Sequence, residues 1–290
     1  MDIPIIFTSS MPRSGSTLLQ NLLAQNPKHH CTSTNDLLDL LIRVRDHWMT
    51  SVGFMAQGLK NIEPRIRSMM KGAIHGFYEG EFAAGKIVFD KSRGWISHIE
   101  LIEKVLERPV KMIVTVRDVR DILASFEKIH RKSVLTDHPV AGPEQFQKLT
   151  VQGRAERLLS IEKTVGYTIN CIQDAFDRKL DDRLVIVPYK ELTHHPVETI
   201  WRVCDECGIE PFACDPDNVP QATQEDDTVY GMDLHTTHPK VTPDFGGSWI
   251  GVLPEPFADF VNSQLPVIQG LANRRYIQAD QSVRLASIAS

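Results

Sequence analysis

The sequence contains no uninterrupted apolar run long enough to span a bilayer, so no membrane span is expected. It has only five cysteines, an odd number that is widely scattered, which argues against the disulfide framework of small secreted domains. Positive charge is not in excess, because the formal net charge at pH 7 is −5. This balance argues against a general nucleic-acid binder, and no nucleic-acid partner is expected.

The beginning of the chain also lacks the basic and apolar segments of a secretory leader, because a strand-like run begins at Ile3. We therefore expect a cytoplasmic protein. The spacing of Cys204 and Cys207 is that of metal and redox sites, but no second pair follows and the pair lies in a helical pattern. We expect buried structural thiols there, and no metal site.

The stretch from Ile3 to Pro27 is the most informative part of the chain. It begins with a short apolar run typical of a buried strand and continues with leucines at helical spacing. At a helix start, unpaired backbone N–H groups and the helix dipole favour a bound anion. The expected anion-binding residues, in the turn between strand and helix, are Arg13, Ser14, Gly15, Ser16 and Thr17.

Each residue type in this turn suits a phosphate-like group. Gly15 lets the backbone approach closely, Arg13 offers a fork-shaped donor, and serine and threonine add hydroxyl donors. The simpler alternative is a capped helix without a ligand. The turn is not a Walker A loop, since it has one glycine and no lysine. A nucleotide kinase or NTPase, and a non-catalytic nucleotide-binding module, stay open as rival functions.

Strand-like and helix-like segments alternate along the chain, which predicts an α/β fold with a P-loop-like, doubly wound parallel sheet flanked by helices. We expect a single domain over residues 1–290, with the sheet core in residues 1–135 and 180–210. A long helix is expected from about Glu144 to Asp177.

The last part of the chain has a different composition. Residues 212–256 are rich in glycine and proline and are expected to form loops that cover the cofactor and the substrate. Residues 273–290 form a polar tail that we expect to fray.

Polar clusters follow three of the predicted strands. They are Arg13 to Thr17, Asp90 to Arg93 and Arg117 to Asp121. In a doubly wound sheet, ligands bind outside the carboxyl ends of the strands. We therefore expect the three clusters to converge at one edge of the sheet.

Two segments resemble the sulfotransferase superfamily, and within it most closely the tyrosylprotein sulfotransferases and their bacterial relatives. Residues 9–27 read SSMPRSGSTLLQNLLAQNP, and residues 114–126 read VTVRDVRDILASF. Further likeness lies in FDKSRGW (89–95), VPYKEL (187–192) and HPKVTPDFGGSWIGVLP (238–254). The resemblance implies the donor 3′-phosphoadenosine 5′-phosphosulfate (PAPS), the product 3′,5′-adenosine bisphosphate, and no metal.

The resemblance also implies cofactor-binding roles. Residues 13–17 would bind the 5′-phosphosulfate, and Arg117 with Ser125 would bind the 3′-phosphate. Tyr189 would pack on or near the adenine, and Lys240 would contact the cofactor from the C-terminal loops. The plainer alternatives are a surface ion pair of Arg117 with Asp118 or Asp121, a core-edge aromatic at Tyr189 and a solvated lysine at Lys240.

For catalysis, the resemblance implies that Lys91 is the cation near the bridging oxygen, where it would stabilise the departing charge with help from Arg93. A salt bridge between Lys91 and Asp90 is the structural alternative. Arg13 is expected to serve catalysis as well as cofactor binding.

The general base is less clear from the sequence. The glutamate that serves the tyrosylprotein enzymes falls on Thr34 here, and threonine is no base. Asp36, two residues on, is the expected base, with a helix N-cap as its alternative role. His30 is a second candidate, because imidazole titrates near neutral pH. The expected partner is an acceptor with a hydroxyl group, foremost a peptidyl tyrosine, otherwise a carbohydrate or small molecule; a homodimer is left open.

Overall fold

Five strands form one parallel sheet in a computed structural model that describes residues 3–132, 150–230, 235 and 238–277. The strand order is β2-β3-β1-β4-β5. The strands are β1 (Ile5–Ser10), β2 (His29–Thr34), β3 (Ile87–Lys91), β4 (Met112–Val116) and β5 (Leu184–Pro188). β1, β4 and β5 are buried along their whole length, as strands covered on both faces must be. The predicted parallel α/β fold is confirmed.

Helices cover both faces of this sheet. They are α1 (Ser16–Leu23), α2 (Leu37–Thr50), α3 (Val52–Gln57), α4 (Leu59–Phe77), α5 (Glu79–Ala83), α6 (Ile99–Leu106), α7 (Val119–Lys132), α8 (Val151–Leu159), α9 (Thr164–Asp177), α10 (Tyr189–His194), α11 (Pro196–Glu206), α12 (Glu255–Gln264) and α13 (Pro266–Asn273). Among the described residues, none of these helices is long and apolar enough to cross a membrane.

Two apolar layers hold the helices to the sheet. In β1, Ile5 and Phe7 point into the layer formed with α2, α4, α6, α7 and α9, whereas Ile6 points into the layer formed with α1 and α11. This alternation is the side-chain period of a strand. Cys204 is buried in the second layer, and burial raises the pKa of its thiol to about 12. All five cysteines are free thiols, as the sequence predicts.

The topological switch point lies between β1 and β4. The chain leaves β1 toward β2 and β3 on one side, and leaves β4 toward β5 on the other. The two strands pair directly, with Ser10 opposite Thr115 near their carboxyl ends. Because connections diverge here, a crevice opens outside these strand ends, and the turns after β1 and β4 both border it.

The predicted helix from Glu144 to Asp177 is wrong in one respect, since it is interrupted. α8 ends at Leu159, and the backbone is extended at Ser160 before α9 begins at Thr164. A Cβ atom built on Gly166 would overlap the carbonyl oxygens of Leu159 and Ser160, so only glycine permits this close approach. The apolar spacing continues through the break because both helices bury one face. Residues 144–149 lie outside the described part.

Candidate active site

The turn after β1 is tightly curled. Gly15 precedes α1 with a left-handed φ of 84°, and Arg13 also has a positive φ of 58°. A Cβ atom on Gly15 would overlap the ring of Tyr189, which packs on the turn from the start of α10. Glycine is therefore required here both by backbone conformation and by the close approach of an aromatic ring.

Ser14 secures this turn to β4. Its side chain is fully buried, and its hydroxyl donates to the carbonyl oxygen of Met11 at 2.6 Å. The same hydroxyl lies 2.6 Å from the hydroxyl of Thr115. The expected hydroxyl donor to an anion is thus committed to the protein itself. Ser16 and Thr17, in contrast, line a cavity outside the strand ends.

The cavity has a volume of about 250 Å³ and gathers most of the residues that the sequence singles out. Those that line it are Arg13, Gly15, Ser16, Thr17, Arg93, Arg117, Tyr189 and Lys240. They come from the turns after β1, β3, β4 and β5 and from the C-terminal loops. The expected convergence at one edge of the sheet is therefore present.

Arg117 connects three parts of the cavity wall. Its Nη1 donates to the carbonyl oxygen of Arg13 at 3.2 Å, and its guanidinium carbon lies 4.3 Å from the centre of the Tyr189 ring. Its Nη2 donates to Asp244 at 3.1 Å. The alternative of an ion pair with Asp118 or Asp121 is wrong: Asp118 pairs with Arg120, and Asp121 accepts from Ser248 and Trp249.

Ser125 meets the other arginine. Nε of Arg13 donates to the Ser125 hydroxyl at 3.1 Å, so a residue on α7 orients the side chain of the turn. Ser125 therefore contacts the turn after β1 through Arg13, and it is not among the residues that line the cavity. The Nε of Arg117 is buried and has no hydrogen-bond partner in the part of the chain that is described.

Lys91 is buried at the end of β3, with 2% of its side chain exposed. Its Nζ lies 3.5 Å from the Thr17 hydroxyl and 3.8 Å from Oε2 of Glu225. Burial lowers the pKa of Lys91 to about 8, and the Glu225 carboxylate offsets part of that effect.

The alternative salt bridge of Lys91 with Asp90 is wrong, because adjacent strand residues point to opposite faces. Asp90 is buried beneath the sheet edge, where it accepts hydrogen bonds from Tyr78, Asn35 and Trp95. Burial raises the pKa of the Asp90 carboxyl, although these donors oppose the shift.

Neither base expected from the sequence lines the cavity. Asp36 is exposed at the N-cap position of α2, and its side chain makes no capping hydrogen bond. The amide of Leu37 instead donates to Asn35. His30 lies on β2, with Nδ1 4.0 Å from a carboxylate oxygen of Glu81. His30 is half-buried, and its ring lies beside the ring of Tyr78 rather than in the cavity.

A cluster that sequence reasoning missed lies beside Lys91, and of its residues Glu225, Asp227 and His235 only His235 lines the cavity. Glu225 accepts from the backbone amide of Thr34 at 2.9 Å through Oε1, and its Oε2 lies 3.0 Å from Nε2 of His235. Nδ1 of His235 lies 2.5 Å from Oδ1 of Asp227. The acidic residues 225–227 were the only local sign of this cluster in the sequence, and they do not form a recognised motif. Among the described residues, no group has the makeup of a metal site.

The cluster is held against α1. The buried side-chain oxygen of Asn21 accepts from the amides of Ala222 and Thr223, at 3.1 Å and 3.0 Å, and from the Thr223 hydroxyl. The loop that carries Glu225 is therefore fixed to the same helix whose first turn lines the cavity.

Lys240 lies at the rim of the cavity. Its Nζ is 2.6 Å from Oδ1 of Asp217, and 67% of its side chain is exposed. A hydrogen bond from Lys240 to Asp217 raises the pKa of the ammonium group. Exposed pairs of this kind contribute little to stability, so the lysine can exchange its partner.

Solved structures with a similar fold include bacterial sulfotransferases. The sulfotransferase domain from the curacin biosynthetic pathway is 16% identical, with a TM-score of 0.55 over 92% of this chain and 98% of that chain, which shows the same fold. The sulfotransferase domain from the Synechococcus PCC 7002 olefin synthase is 17% identical, with a TM-score of 0.43 over 100% of this chain and 96% of that chain. A sulfotransferase from Alicyclobacillus acidocaldarius is 11% identical, with a TM-score of 0.49 over 97% and 99%. A search of curated protein sequences finds no match.

The family assignment follows from the sequence itself. A family model described as "Sulfotransferase family" matches residues 4–213, which is more than half of the chain. The match includes the turn after β1, the strand end at Lys91 and the turn after β4. The chain therefore belongs to the sulfotransferase family and is a sulfotransferase enzyme.

Proposed function

We propose that this sulfotransferase takes the sulfuryl group from PAPS and transfers it to an acceptor hydroxyl, releasing 3′,5′-adenosine bisphosphate. One observation carries the proposal. Arg13 and Arg117, 104 positions apart, line one cavity at the switch point and are joined by the 3.2 Å hydrogen bond to the Arg13 carbonyl oxygen. Two neighbouring cationic sites suit a nucleotide that carries phosphate groups at both ends.

The side chains in the cavity fit such a donor. The first turn of α1, with Ser16 and Thr17, suits the phosphosulfate end. The buried Nε of Arg117 lacks a partner among the described residues, and a phosphate oxygen would supply one. The ring of Tyr189 beside it suits a flat base. When bound, the donor supplies an activated sulfuryl group on a phosphate leaving group.

The residues of this chain then have separate tasks. Lys91, next to Thr17 of the anion turn, is placed to stabilise negative charge that develops on the phosphate as it departs. Arg93 lines the same cavity and adds a second positive charge. Ser14 and Ser125 hold the turn and the Arg13 side chain in position, which prepares the site for its ligand.

For the acceptor, we retain peptidyl tyrosine as the first candidate, because the resemblance of the sequence motifs is to the tyrosylprotein enzymes. A carbohydrate or small-molecule hydroxyl is the second. A cytoplasmic location and a homodimer remain predictions from the sequence.

The experiment is incubation of the purified chain with PAPS and a panel of acceptors: tyrosine peptides, substituted phenols, oligosaccharides and aliphatic alcohols. We expect 3′,5′-adenosine bisphosphate and a sulfated product in equal amounts, without added metal. Calorimetry should detect binding of the bisphosphate. Absence of turnover with every acceptor, together with absence of bisphosphate binding, would overturn the proposal.

The two rival functions give different results in the same assay. A nucleotide kinase or NTPase would consume ATP in the presence of Mg²⁺ and would not need PAPS. A non-catalytic module would bind the bisphosphate tightly and show no turnover, so Lys91→Ala would leave no activity to lose.

A further inference from the structure

A buried chain of charged side chains runs from the anion turn to the C-terminal loops. It begins at Thr17 and Lys91 and continues through Glu225 and His235 to Asp227. Side chains of this kind are costly to bury unless they pair with each other or act on a ligand. The cluster lies at the wall of the cavity, since His235 lines it.

We propose that Glu225 is the general base that takes the proton from the acceptor hydroxyl, and that His235 and Asp227 position its carboxylate. The proposal rests on the proposed function, because it assigns a role in sulfuryl transfer. Glu225 would be the catalytic residue, whereas the other two act through it.

The first observation in support of the proposal is the position of Glu225. Its Oε2 lies 3.8 Å from Nζ of Lys91, which itself lies 3.5 Å from Thr17 of the anion turn. The side chain of Lys91 therefore lies between this carboxylate and the turn that would hold the sulfuryl group. A general base must come within hydrogen-bond reach of the proton that it removes. His235, which contacts Glu225, lines the cavity, so the proposal requires the acceptor hydroxyl to reach the carboxylate from that side.

The orientation of the carboxylate supports the proposal second. Thr34 donates its amide to Oε1 at 2.9 Å, and Nε2 of His235 approaches Oε2 at 3.0 Å. Each carboxylate oxygen has two lone pairs. Oε2 also faces the ammonium group of Lys91 at 3.8 Å, whereas Thr34 is the one donor to Oε1 among the described residues, which leaves a lone pair on Oε1 for an incoming proton. Asp227 holds the other side of the imidazole, with its Oδ1 2.5 Å from Nδ1 and its Oδ2 2.9 Å from the His235 backbone amide. The ring is thus fixed from both sides.

The proposed base contacts position 34 although it belongs to a distant part of the chain. The backbone amide of Thr34 holds a carboxylate that arrives from 191 positions later in the chain. The proposed base is therefore close to Thr34 in the fold although it is far from Thr34 in the sequence. Asp36, exposed at the start of α2, has no comparable contact with Lys91 among the described hydrogen bonds and ion pairs.

The proposed step balances without a further reactant. The acceptor O–H bond breaks and its proton moves to the Glu225 carboxylate, while the acceptor oxygen forms a bond to sulfur. The bond from sulfur to the 5′-phosphate oxygen breaks, and its electron pair leaves with the bisphosphate. Glu225 then returns the proton to water. No group is oxidised or reduced.

The test compares Glu225→Gln with Asp36→Asn, which removes the other candidate base. The acceptors are phenols of increasing acidity, from an alkyl-substituted phenol to 4-nitrophenol. We expect kcat of Glu225→Gln to fall about 10²-fold or more with the least acidic phenol, as loss of a general base typically does. The loss should shrink as the phenol becomes more acidic, because an ionised phenol needs no base. Asp36→Asn should match the wild type.

Two further measurements separate catalysis from structure. Calorimetric affinity for 3′,5′-adenosine bisphosphate should be unchanged in Glu225→Gln, which shows that the anion turn is intact. Asp227→Asn should lower kcat less than Glu225→Gln but with the same dependence on phenol acidity, because it only misorients the base.

The outcomes are distinct. If the wild type turns over no acceptor and binds no bisphosphate, the proposed function fails and this inference fails with it. If the wild type is active and Glu225→Gln keeps full kcat, or loses it equally with every phenol, only the inference fails. A loss of kcat in Asp36→Asn would assign the base to Asp36 instead. Where the wild type sulfates only aliphatic alcohols, an unchanged kcat of Glu225→Gln on them overturns the inference.

Discussion

The guanidinium group of Arg117 donates to the Asp244 carboxylate at 3.1 Å while it lies over the ring of Tyr189. Both partners of the ion pair are mostly buried, so their interaction is screened little by salt. Under the proposed function, the Asp244 carboxylate would compete with a phosphate of the donor for Arg117. It also ties the C-terminal loop to the turn after β4.

Removal of the Asp244 carboxylate should strengthen the binding of an anionic ligand. In Asp244→Asn, we expect the affinity for 3′,5′-adenosine bisphosphate to rise by about 3- to 10-fold, because a like charge next to the phosphate site is removed. The backbone hydrogen bonds of Asp244 to Thr193 and His194 remain, so the loop should keep its place. Calorimetry at two salt concentrations measures the change. A weaker affinity would mean that Asp244 orients Arg117 rather than competing with the ligand.

Removal of the Arg117 guanidinium group should weaken the binding of the same ligand. Arg117→Ala should weaken binding of the bisphosphate by about 10- to 100-fold, the usual cost of hydrogen bonds to a charged group. Arg117→Lys should recover only part of the affinity, because a lysine makes no bidentate contact. Arg43→Ala, an exposed arginine paired with Asp39 on α2, is the matched control. Equal affinities for Arg117→Ala and Arg43→Ala would contradict the assignment.

Gly15 gives a test of the turn itself. In Gly15→Ala the new Cβ would overlap Tyr189, and the left-handed φ of 84° adds strain. We expect a loss of stability of about 2 kcal/mol or more and loss of bisphosphate binding. Gly85→Ala separates the two effects, because Gly85 also has a positive φ of 71° but open space around it. It should lose about 1 kcal/mol and bind normally. Similar unfolding midpoints for both variants would argue against the Tyr189 contact.

The pH dependence of kcat/KM should reflect Lys91. Its pKa is lowered to about 8, so the ammonium is lost as the pH rises through that value, and kcat/KM should fall above about pH 8. Lys91→Arg should keep part of the activity and lose this alkaline limb, since arginine stays charged. Because the folded state binds fewer protons than the unfolded one between pH 8 and the ordinary lysine pKa of about 10.5, stability should rise over that range. An alkaline limb that persists in Lys91→Arg belongs to another group.

Much of the architecture could be predicted because its signals are local. Apolar runs such as residues 110–116, bounded by proline and polar residues, are typical of buried strands, and polar clusters at their ends mark the ligand edge of a parallel sheet. The spacing after β1 was enough to place Arg13, Gly15, Ser16 and Thr17 at the cavity, although not Ser14. Arg117 followed from the same rule, whereas Tyr189 was indicated by the family resemblance. The interruption between α8 and α9 was missed because apolar spacing continues through it.

The remaining site residues depend on contacts that no local pattern encodes. Glu225 meets Thr34 across 191 positions, and Asp244 meets Arg117 across 127. Nothing in a loop-rich segment shows where it packs until the fold is known. Ser14 illustrates a different difficulty, since its residue type suits a ligand donor equally well, and only its burial against Thr115 shows that it holds the turn.

The most direct test is a crystal structure of the chain with 3′,5′-adenosine bisphosphate bound. We predict that the 5′-phosphate contacts the backbone amides of residues 13–17, and that the 3′-phosphate accepts from Arg117, with Asp244 displaced or shared. The adenine should lie against Tyr189. A bisphosphate bound elsewhere, or one that contacts the turn after β1 but leaves Arg117 paired with Asp244 alone, would contradict the central claim that these two sites hold one donor.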